Sequence, residues 1–252
     1  MVFVLLMVTV MCSWGPVQAE KTAAQNMRSN RKGKLLYTEN FNNYKNGTLP
    51  PGWWVEGGQS VYIDKGHLKI NANPTAKKGP GYVATVWLNK EFSGNIQIQF
   101  DARVVSSNDD ANNINFFLYY THPGMGATLY GTRNLRLDGL YSHYYDLNGY
   151  IFTFVNDTFV NPANPRKNQA RFRMRRCPGF ELIDQHITYN SRQGETYHIT
   201  ITKRGKDLSY AVDGTVYLRA TDDKYDWIKG YIGFRTFDSD VWFDNLTVRR
   251  PR

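Results

Sequence analysis

The chain has 252 residues, of which 41% are hydrophobic and 21% are charged, and its formal net charge is +9 at pH 7. This length fits one large all-β domain or two small ones. The positive charge favours a polyanionic partner such as an acidic polysaccharide. It does not indicate binding to a membrane surface, because no basic amphipathic helix accompanies it.

The N-terminus has the pattern of a signal peptide, residues 1–19. The apolar run from Val2 to Met11 is too short to span a membrane, and Val17-Gln18-Ala19 supplies the small residues that precede a cleavage site. Cys12 raises lipoprotein anchoring as an alternative, but Met11 is too large for the usual lipid-attachment box. We therefore expect cleavage after Ala19 and a secreted or periplasmic protein without a membrane span, for which nucleic acid is a disfavoured partner.

Cleavage at this point leaves Cys177 as the single cysteine, so the mature chain has no intramolecular disulfide and depends on its core. Residues 20–34 are polar and basic, and we expect them to form a flexible lead-in. No linker or repeat divides the rest of the chain, so residues 35–250 are predicted to form a single domain. The sequence does not indicate an oligomeric state.

Strand patterns succeed one another through this domain. Ile96, Ile98 and Phe100 alternate with polar residues, as in a half-buried antiparallel strand, and a Lys65-Gly66 turn joins a hairpin. Many short strands separated by Gly, Asn and Asp turns predict an all-β fold, a two-sheet antiparallel jelly-roll sandwich. The predicted strands are residues 35–41, 61–64, 67–70, 82–88, 95–105, 114–120, 149–155, 170–177, 180–187, 197–204, 207–212, 215–220, 230–236 and 241–248.

Residues 121–148 interrupt this regular pattern. The segment is rich in Gly, Tyr, His and Arg. Long loops in compact domains are usually functional or disordered, and the aromatic content favours a functional loop. We predict that it folds over the sheet face that carries Arg173 and Arg175.

The strand at 170–177 contains three alternating arginines. Because side chains alternate between the faces of a strand, Arg171, Arg173 and Arg175 share one face, while Phe172 and Met174 face the core. Guanidinium groups bind carboxylates bidentately. The row therefore predicts an anion-facing groove; the alternative is a solvated outer face with scattered acidic partners.

The end of the chain resembles the concanavalin A-like lectin/glucanase superfamily. The similar residues are Val212-Asp213-Gly214, the strand Gly230–Thr236, and Phe243-Asp244-Asn245-Leu246. In the middle, His143–Tyr150, Arg175–Phe180 and Gln185 look like the YesU-type family from bacterial loci that degrade pectin-like polysaccharides. The resemblance implies a jelly roll and an acidic glycan as substrate class, and it leaves the reaction open.

Retaining glycoside hydrolysis requires two carboxyl groups about 5 Å apart. Superfamily glucanases place them on one face of a strand. Glu181 and Asp184 are three residues apart and so face opposite ways in a strand. This spacing disfavours the glucanase mechanism.

β-Elimination requires groups that neutralise a uronate carboxylate, together with a base and an acid. Jelly-roll alginate lyases use Arg, Gln or Asn, His and Tyr, and this chain is similar in residue types. We expect His143 and Tyr145 to transfer protons and assign substrate binding to Arg171, Arg173, Arg175, Gln185, Asp146 and Asn148. The hypothesis is a lyase on an acidic polysaccharide or oligosaccharide; the alternative is a non-catalytic carbohydrate-binding protein.

A structural calcium ion is a further hypothesis. Superfamily members commonly hold Ca²⁺, and Glu39 in the first strand and Asp244 in the last supply suitable oxygen ligands. The scattered histidines and the single mature cysteine offer no zinc framework. No cofactor is required by the predicted chemistry.

Overall fold

The computed structural model describes residues 33–57, 60–72, 82–156, 171–187 and 191–251, and for residues 108–113, 156 and 171 it describes the backbone alone. The predicted signal peptide, residues 1–19, lies outside the described residues. So does the predicted lead-in, residues 20–34, apart from its last two residues. Within the described ranges, no helix combines the length and apolar character needed to cross a membrane.

The described chain is built from thirteen strands and two single-turn 3₁₀ helices, Arg133–Arg136 and Tyr141–Tyr144. The strands are β1 (Leu35–Glu39), β2 (Trp53–Glu56), β3 (Ser60–Asp64), β4 (His67–Asn71), β5 (Val83–Ser93), β6 (Ile96–Thr121), β7 (Asn148–Asn156), β8 (Arg171–Cys177), β9 (Glu181–Ile187), β10 (Thr196–Arg204), β11 (Asp207–Val212), β12 (Thr215–Thr221) and β13 (Lys229–Arg249).

The strands form two antiparallel layers that share β6 and β13. Layer I has the order β12-β11-β10-β6-β13-β4-β3, with β1 also paired to β13. Layer II has the order β2-β5-β13-β6-β7-β8-β9. The predicted two-sheet antiparallel sandwich is confirmed, and the first and last strands are neighbours, with Glu39 opposite Leu246.

The two shared strands differ from the sequence-based strand boundaries. The sequence predicts separate strands at 95–105 and 114–120, whereas both lie in β6; 230–236 and 241–248 likewise both lie in β13. Shifts of register interrupt the β13–β6 ladder between Phe237 and Ser239 and between Asp240 and Val241. A bulge bends and twists a strand without ending it, so one strand can pass from layer II into layer I.

The main core lies between the layers. Phe100 of β6 contacts Phe234 and Phe243 of β13, with ring centroids 5.0 and 6.0 Å apart. Phe172 and Met174 of β8 are fully buried in the same core. Burial of each such side chain contributes about 1.5–3 kcal/mol, so the β8 alternation fixes which face of that strand carries the arginines.

A second apolar cluster lies on the outer face of layer II. It contains Trp54, Trp87, Phe117, Tyr120, Leu129, Tyr144, Leu147, Ile151 and Cys177. Three of these residues belong to the segment between β6 and β7, which we call the cover segment, residues 122–147. Its ends meet, because Thr121 and Asn148 are paired across β6 and β7. Gly233 makes the packing possible, since a Cβ there would lie 2.5 Å from Trp87 Cε3.

Candidate functional site

A buried carboxylate anchors the cover segment to layer II. Glu56 of β2 has no exposed surface. Its oxygens accept hydrogen bonds from the indole nitrogens of Trp54 at 3.2 Å and Trp87 at 3.0 Å, and from the Tyr144 hydroxyl at 2.9 Å. Arg136 completes the network, with Nη2 2.7 Å from Glu56 Oε1.

Arg136 links this carboxylate to the backbone of the cover segment. Its Nη2 donates to the Leu129 carbonyl at 2.6 Å, and its Nη1 donates to the Thr132 carbonyl at 3.2 Å. Both members of the Glu56–Arg136 ion pair are buried. Buried charges need such pairing and hydrogen bonding, so the network sets the position of the cover segment.

A row of polar side chains crosses layer II next to this anchor. Successive members occupy directly opposed positions on neighbouring strands, so they share one face. The row consists of Glu56, Thr85, Arg235, Asn115, Thr153, Arg173 and Gln185. It begins beneath the cover segment and reaches the surface at Gln185, which is exposed.

Arg235 is the third member of that row and is 3% exposed. Its Nη1 donates to Thr85 Oγ1 at 2.9 Å and to the Gly139 carbonyl at 2.7 Å. The guanidinium lies 4.6 Å from the Tyr141 ring centroid and 5.4 Å from that of Tyr144. Burial lowers the pKa of Arg235, and the tyrosines oppose that shift.

Arg175 lies at the end of β8 in an aromatic setting. Its guanidinium is 4.2 Å from the Phe180 ring centroid, and its Nη1 donates to the Phe180 carbonyl at 3.0 Å. Phe180 stacks on Tyr145 at 4.1 Å, and Tyr141 meets both rings edge-on. We call Arg175, Phe180, Tyr145 and Tyr141 the Arg175 cluster. It joins a strand arginine to the cover segment, as the sequence predicts.

Tyr145 is half-buried in this cluster. Burial raises the pKa of its hydroxyl, and the positive charges of Arg175 and Arg235 act in the opposite direction. The phenol is therefore neutral at ordinary pH and can donate a hydrogen bond. Its carbonyl accepts a 2.8 Å hydrogen bond from the Gly179 amide, which ties the β8–β9 turn to the cover segment.

The other predicted arginines extend the face toward the β9 edge. Arg173 Nε donates to Gln185 Oε1 at 3.4 Å, so these two predicted binding residues are brought together. Arg171 begins β8, and its side chain lies outside the described part of the chain. Arg176 points away from this group and pairs with Glu181 and Asp222.

His143 is on the cover segment, and its Nε2 lies within hydrogen-bond distance of Asp138, 2.9 Å from Oδ1. This hydrogen bond is the largest cause that lowers the pKa of Asp138, and a hydrogen bond from the Leu140 amide is the second. Sequence reasoning did not identify Asp138, because a loop residue five positions from His143 has no geometric relation to it until the loop is folded. Asp146 is exposed, and Asn148 Nδ2 donates to Thr121 Oγ1 at 3.4 Å.

Glu39 and Asp244, the predicted calcium ligands, both accept hydrogen bonds from groups of this chain. Glu39 accepts hydrogen bonds from the Phe41 amide at 2.9 Å and the Tyr44 hydroxyl at 2.8 Å, and Asp244 accepts one from the Asn245 amide at 2.7 Å. In the described residues, no group of three or more His, Cys, Asp or Glu is placed to share a metal ion. The calcium site stays a prediction.

Two clefts lie away from the Arg175 cluster. One, of about 560 Å³, is formed by β10, β11 and β12 with Arg204 and Arg219 in its wall. The other, of about 470 Å³, lies beside the start of the cover segment and is lined by His122, Trp227 and Tyr231. Volume alone does not select a site, and neither cleft is lined by a residue of the Arg175 cluster.

Comparison with known proteins identifies the family. Residues 79–246 match the model of a domain of unknown function, DUF6250, and the chain belongs to this family. A search of curated proteins finds no match. The predicted YesU-type affiliation stays a prediction.

Solved structures show the same fold at low sequence identity. A Bacillus subtilis protein of unknown function with a galectin-like fold is 16% identical, with 87% of this chain and 97% of that chain covered and a TM-score of 0.68. The Emp47p carbohydrate recognition domain is 13% identical, with 88% and 98% covered and a TM-score of 0.58. Lectin II from Ulex europaeus is 13% identical, with 86% and 99% covered and a TM-score of 0.56. The chain thus has a lectin-like β-sandwich fold.

Proposed function

We propose that the protein binds an acidic oligosaccharide or polysaccharide on the outer face of layer II. The observation that carries this proposal is the grouping of Arg175 with Tyr145 and Phe180, next to the Arg173–Gln185 pair. Guanidinium groups bind carboxylates through paired hydrogen bonds, and aromatic rings offer flat apolar surface for sugar rings. The net charge of +9 adds long-range attraction to a polyanion.

The fold supports a glycan as the partner. Similar structures include a carbohydrate recognition domain, the carbohydrate-binding module CBM66 from Bacillus subtilis, and the lectin UEA-II complexed with galactose. At this level of identity the likeness supports the class of partner and leaves the sugar open. Secretion belongs to the proposal through the signal-peptide pattern of residues 1–19.

The test is calorimetric binding to pectic and algal polyuronates, with neutral glucans as controls. Arg175→Gln removes one charge-assisted contact and should weaken binding roughly 10- to 150-fold. Arg192→Gln is the matched control, because Arg192 is exposed and pairs with Glu195 before β10. Equal affinity for neutral glucans, unchanged by Arg175→Gln and by salt, would refute the acidic-glycan proposal.

Cleavage by β-elimination is the second candidate. It is favoured by the contact of Asp138 with His143, which lies on the 3₁₀ turn that leads to Tyr145. One group removes the proton next to the carboxylate, the electron pair forms a carbon–carbon double bond, and the bond to the glycosidic oxygen breaks as that oxygen is protonated. Asp138 orients the imidazole for the first step, and neutral Tyr145 supplies a proton for the last.

The reaction is detected by the absorbance of its unsaturated product. His143→Ala should lower turnover by about 10²- to 10⁴-fold with little change in affinity, because proton transfer acts in the transition state. Ser142→Ala is the matched control, since Ser142 is exposed on the same 3₁₀ turn. Binding of polyuronates with no unsaturated product would leave the non-catalytic carbohydrate-binding alternative as the function.

A further inference from the structure

Arg235 and Arg136 are equally buried and differ in their surroundings. Arg136 is 2% exposed and forms an ion pair with Glu56, whereas Arg235 is 3% exposed and, within the described ranges, has no Asp or Glu partner. Its Nη1 donates to uncharged oxygens of Thr85 and Gly139. A buried charge without a counter-charge is unfavourable for folding. Such a group is expected where a bound anion completes the site.

Part of this guanidinium and two hydroxyl groups of the same region lack hydrogen-bond partners. In the described structure no acceptor is bonded to Nη2 or Nε of Arg235. The Tyr141 hydroxyl and Thr153 Oγ1 are buried without a hydrogen-bond partner there. Buried hydroxyls are ordinarily bonded, so two such atoms on one face indicate that a polar ligand supplies the missing contacts.

The Tyr141 hydroxyl lies within electrostatic reach of two arginines. Burial raises the pKa of this phenol, and the charges of Arg235 and Arg175 both oppose the shift. The Tyr141 ring holds this position by stacking on Phe117, with centroids 6.3 Å apart, and by its edge contact with Phe180. The Tyr141 hydroxyl thus lies near two guanidinium groups and, because it has no hydrogen-bond partner in the described structure, it can donate to a bound anion.

We infer that Arg235, Tyr141 and Arg175 form a binding pocket for the carboxylate of a single uronate residue, with Thr153 as an additional hydroxyl partner. The inference rests on the proposed function and specifies where one acidic group of the glycan is bound. A carboxylate accepts from the guanidinium edge and from the phenol at once. Arg173 and Gln185 would then contact neighbouring sugars along the row toward the β9 edge.

Two tyrosines on one helical turn provide a matched test. Tyr141→Phe removes a hydroxyl that has no partner in the described structure, so stability should be unchanged or higher. Its affinity for short oligouronates should fall about 10-fold or more, since a hydrogen bond to a charged group is lost. Tyr144→Phe removes a hydroxyl that bonds to Glu56. It should lower stability and leave affinity within about two-fold of wild type.

The measurements are calorimetric titration and thermal unfolding, with oligogalacturonate, oligomannuronate, their carboxyl-reduced forms and a sulfated sugar as probes. If wild type binds oligouronates and Tyr141→Phe binds them equally well, the pocket is wrong and the proposed function stands. If oligouronates do not bind but free galacturonate protects Arg235 in an arginine-labelling assay, the pocket stands and the polysaccharide function fails. If no uronate binds, or only the sulfated sugar does, the inference is overturned.

Discussion

Substitution of Glu56 by Gln tests whether the buried ion pair holds the cover segment. Glu56→Gln keeps the shape of the side chain but removes the charge opposite Arg136, whose Nη2 lies 2.7 Å from Glu56 Oε1. Loss of one member of a buried pair costs about 3–5 kcal/mol because the other charge is left uncompensated. At about 2–4 °C per kcal/mol for a domain of this size, the Tm should fall by roughly 6–20 °C.

Chemical unfolding and limited proteolysis measure this effect. The free energy of unfolding should fall by about 3–5 kcal/mol in Glu56→Gln, and cleavage within residues 122–147 should be faster than in wild type. Glu91→Gln is the control, because Glu91 forms an exposed pair with Lys229, and exposed pairs contribute about 1 kcal/mol or less.

A second substitution separates charge burial from packing. Arg136→Met in the Glu56→Gln background removes the buried positive charge that has lost its partner, and it should recover part of the lost stability. If Glu56→Gln unfolds within about 0.5 kcal/mol of wild type, the ion pair does not anchor the cover segment and the reasoning is refuted.

Three further outcomes are expected. Gly233→Ala should destabilise the protein by about 1–3 kcal/mol, since its Cβ would meet the Trp87 ring; an unchanged urea midpoint would contradict this. Cys177 is fully buried and burial raises the pKa of its thiol, so it should react with a thiol reagent only on unfolding; prompt reaction of the native protein would show otherwise. The pKa of Asp138 is lowered in the folded protein, so its carboxylate makes a small stabilising contribution above about pH 4 that is lost as the pH falls through the folded pKa. In Asp138→Asn the free energy of unfolding should therefore depend less on pH in the acid range, and an unchanged pH dependence would contradict this reasoning.

The fold could be predicted because strand alternation is a local property. Phe172 and Met174 alternate with arginines, and burial of the apolar pair determines the orientation of the whole strand. The continuity of β6 and β13 could not be predicted in the same way. Polar residues near Ser107 and Ser239 look like turns between strands, whereas the structure bends each strand there from one layer into the other.

The site could be predicted only where its residues share a strand or a loop. Alternation assigns Arg173 and Arg175 to one strand face, the composition of the loop points to Tyr145, and Gln185 is named through the family resemblance. Arg235 was not predicted, because it lies within an apolar strand, and its neighbours Thr85 and Tyr141 come from distant parts of the sequence. Pairing over such separations depends on strand register, which one sequence does not specify.

The pairing of Thr121 with Asn148 has a consequence for how such a binding face can change. The cover segment leaves the sheet after β6 and re-enters it at β7 in adjacent positions, so it is a long hairpin loop between two paired strands. Its length and composition can vary without altering the strand pairing beneath it. The two layers thus act as a fixed frame, and, under the proposed function, exchange of residues 122–147 between relatives should change ligand preference while the arginines of the sheet stay in place.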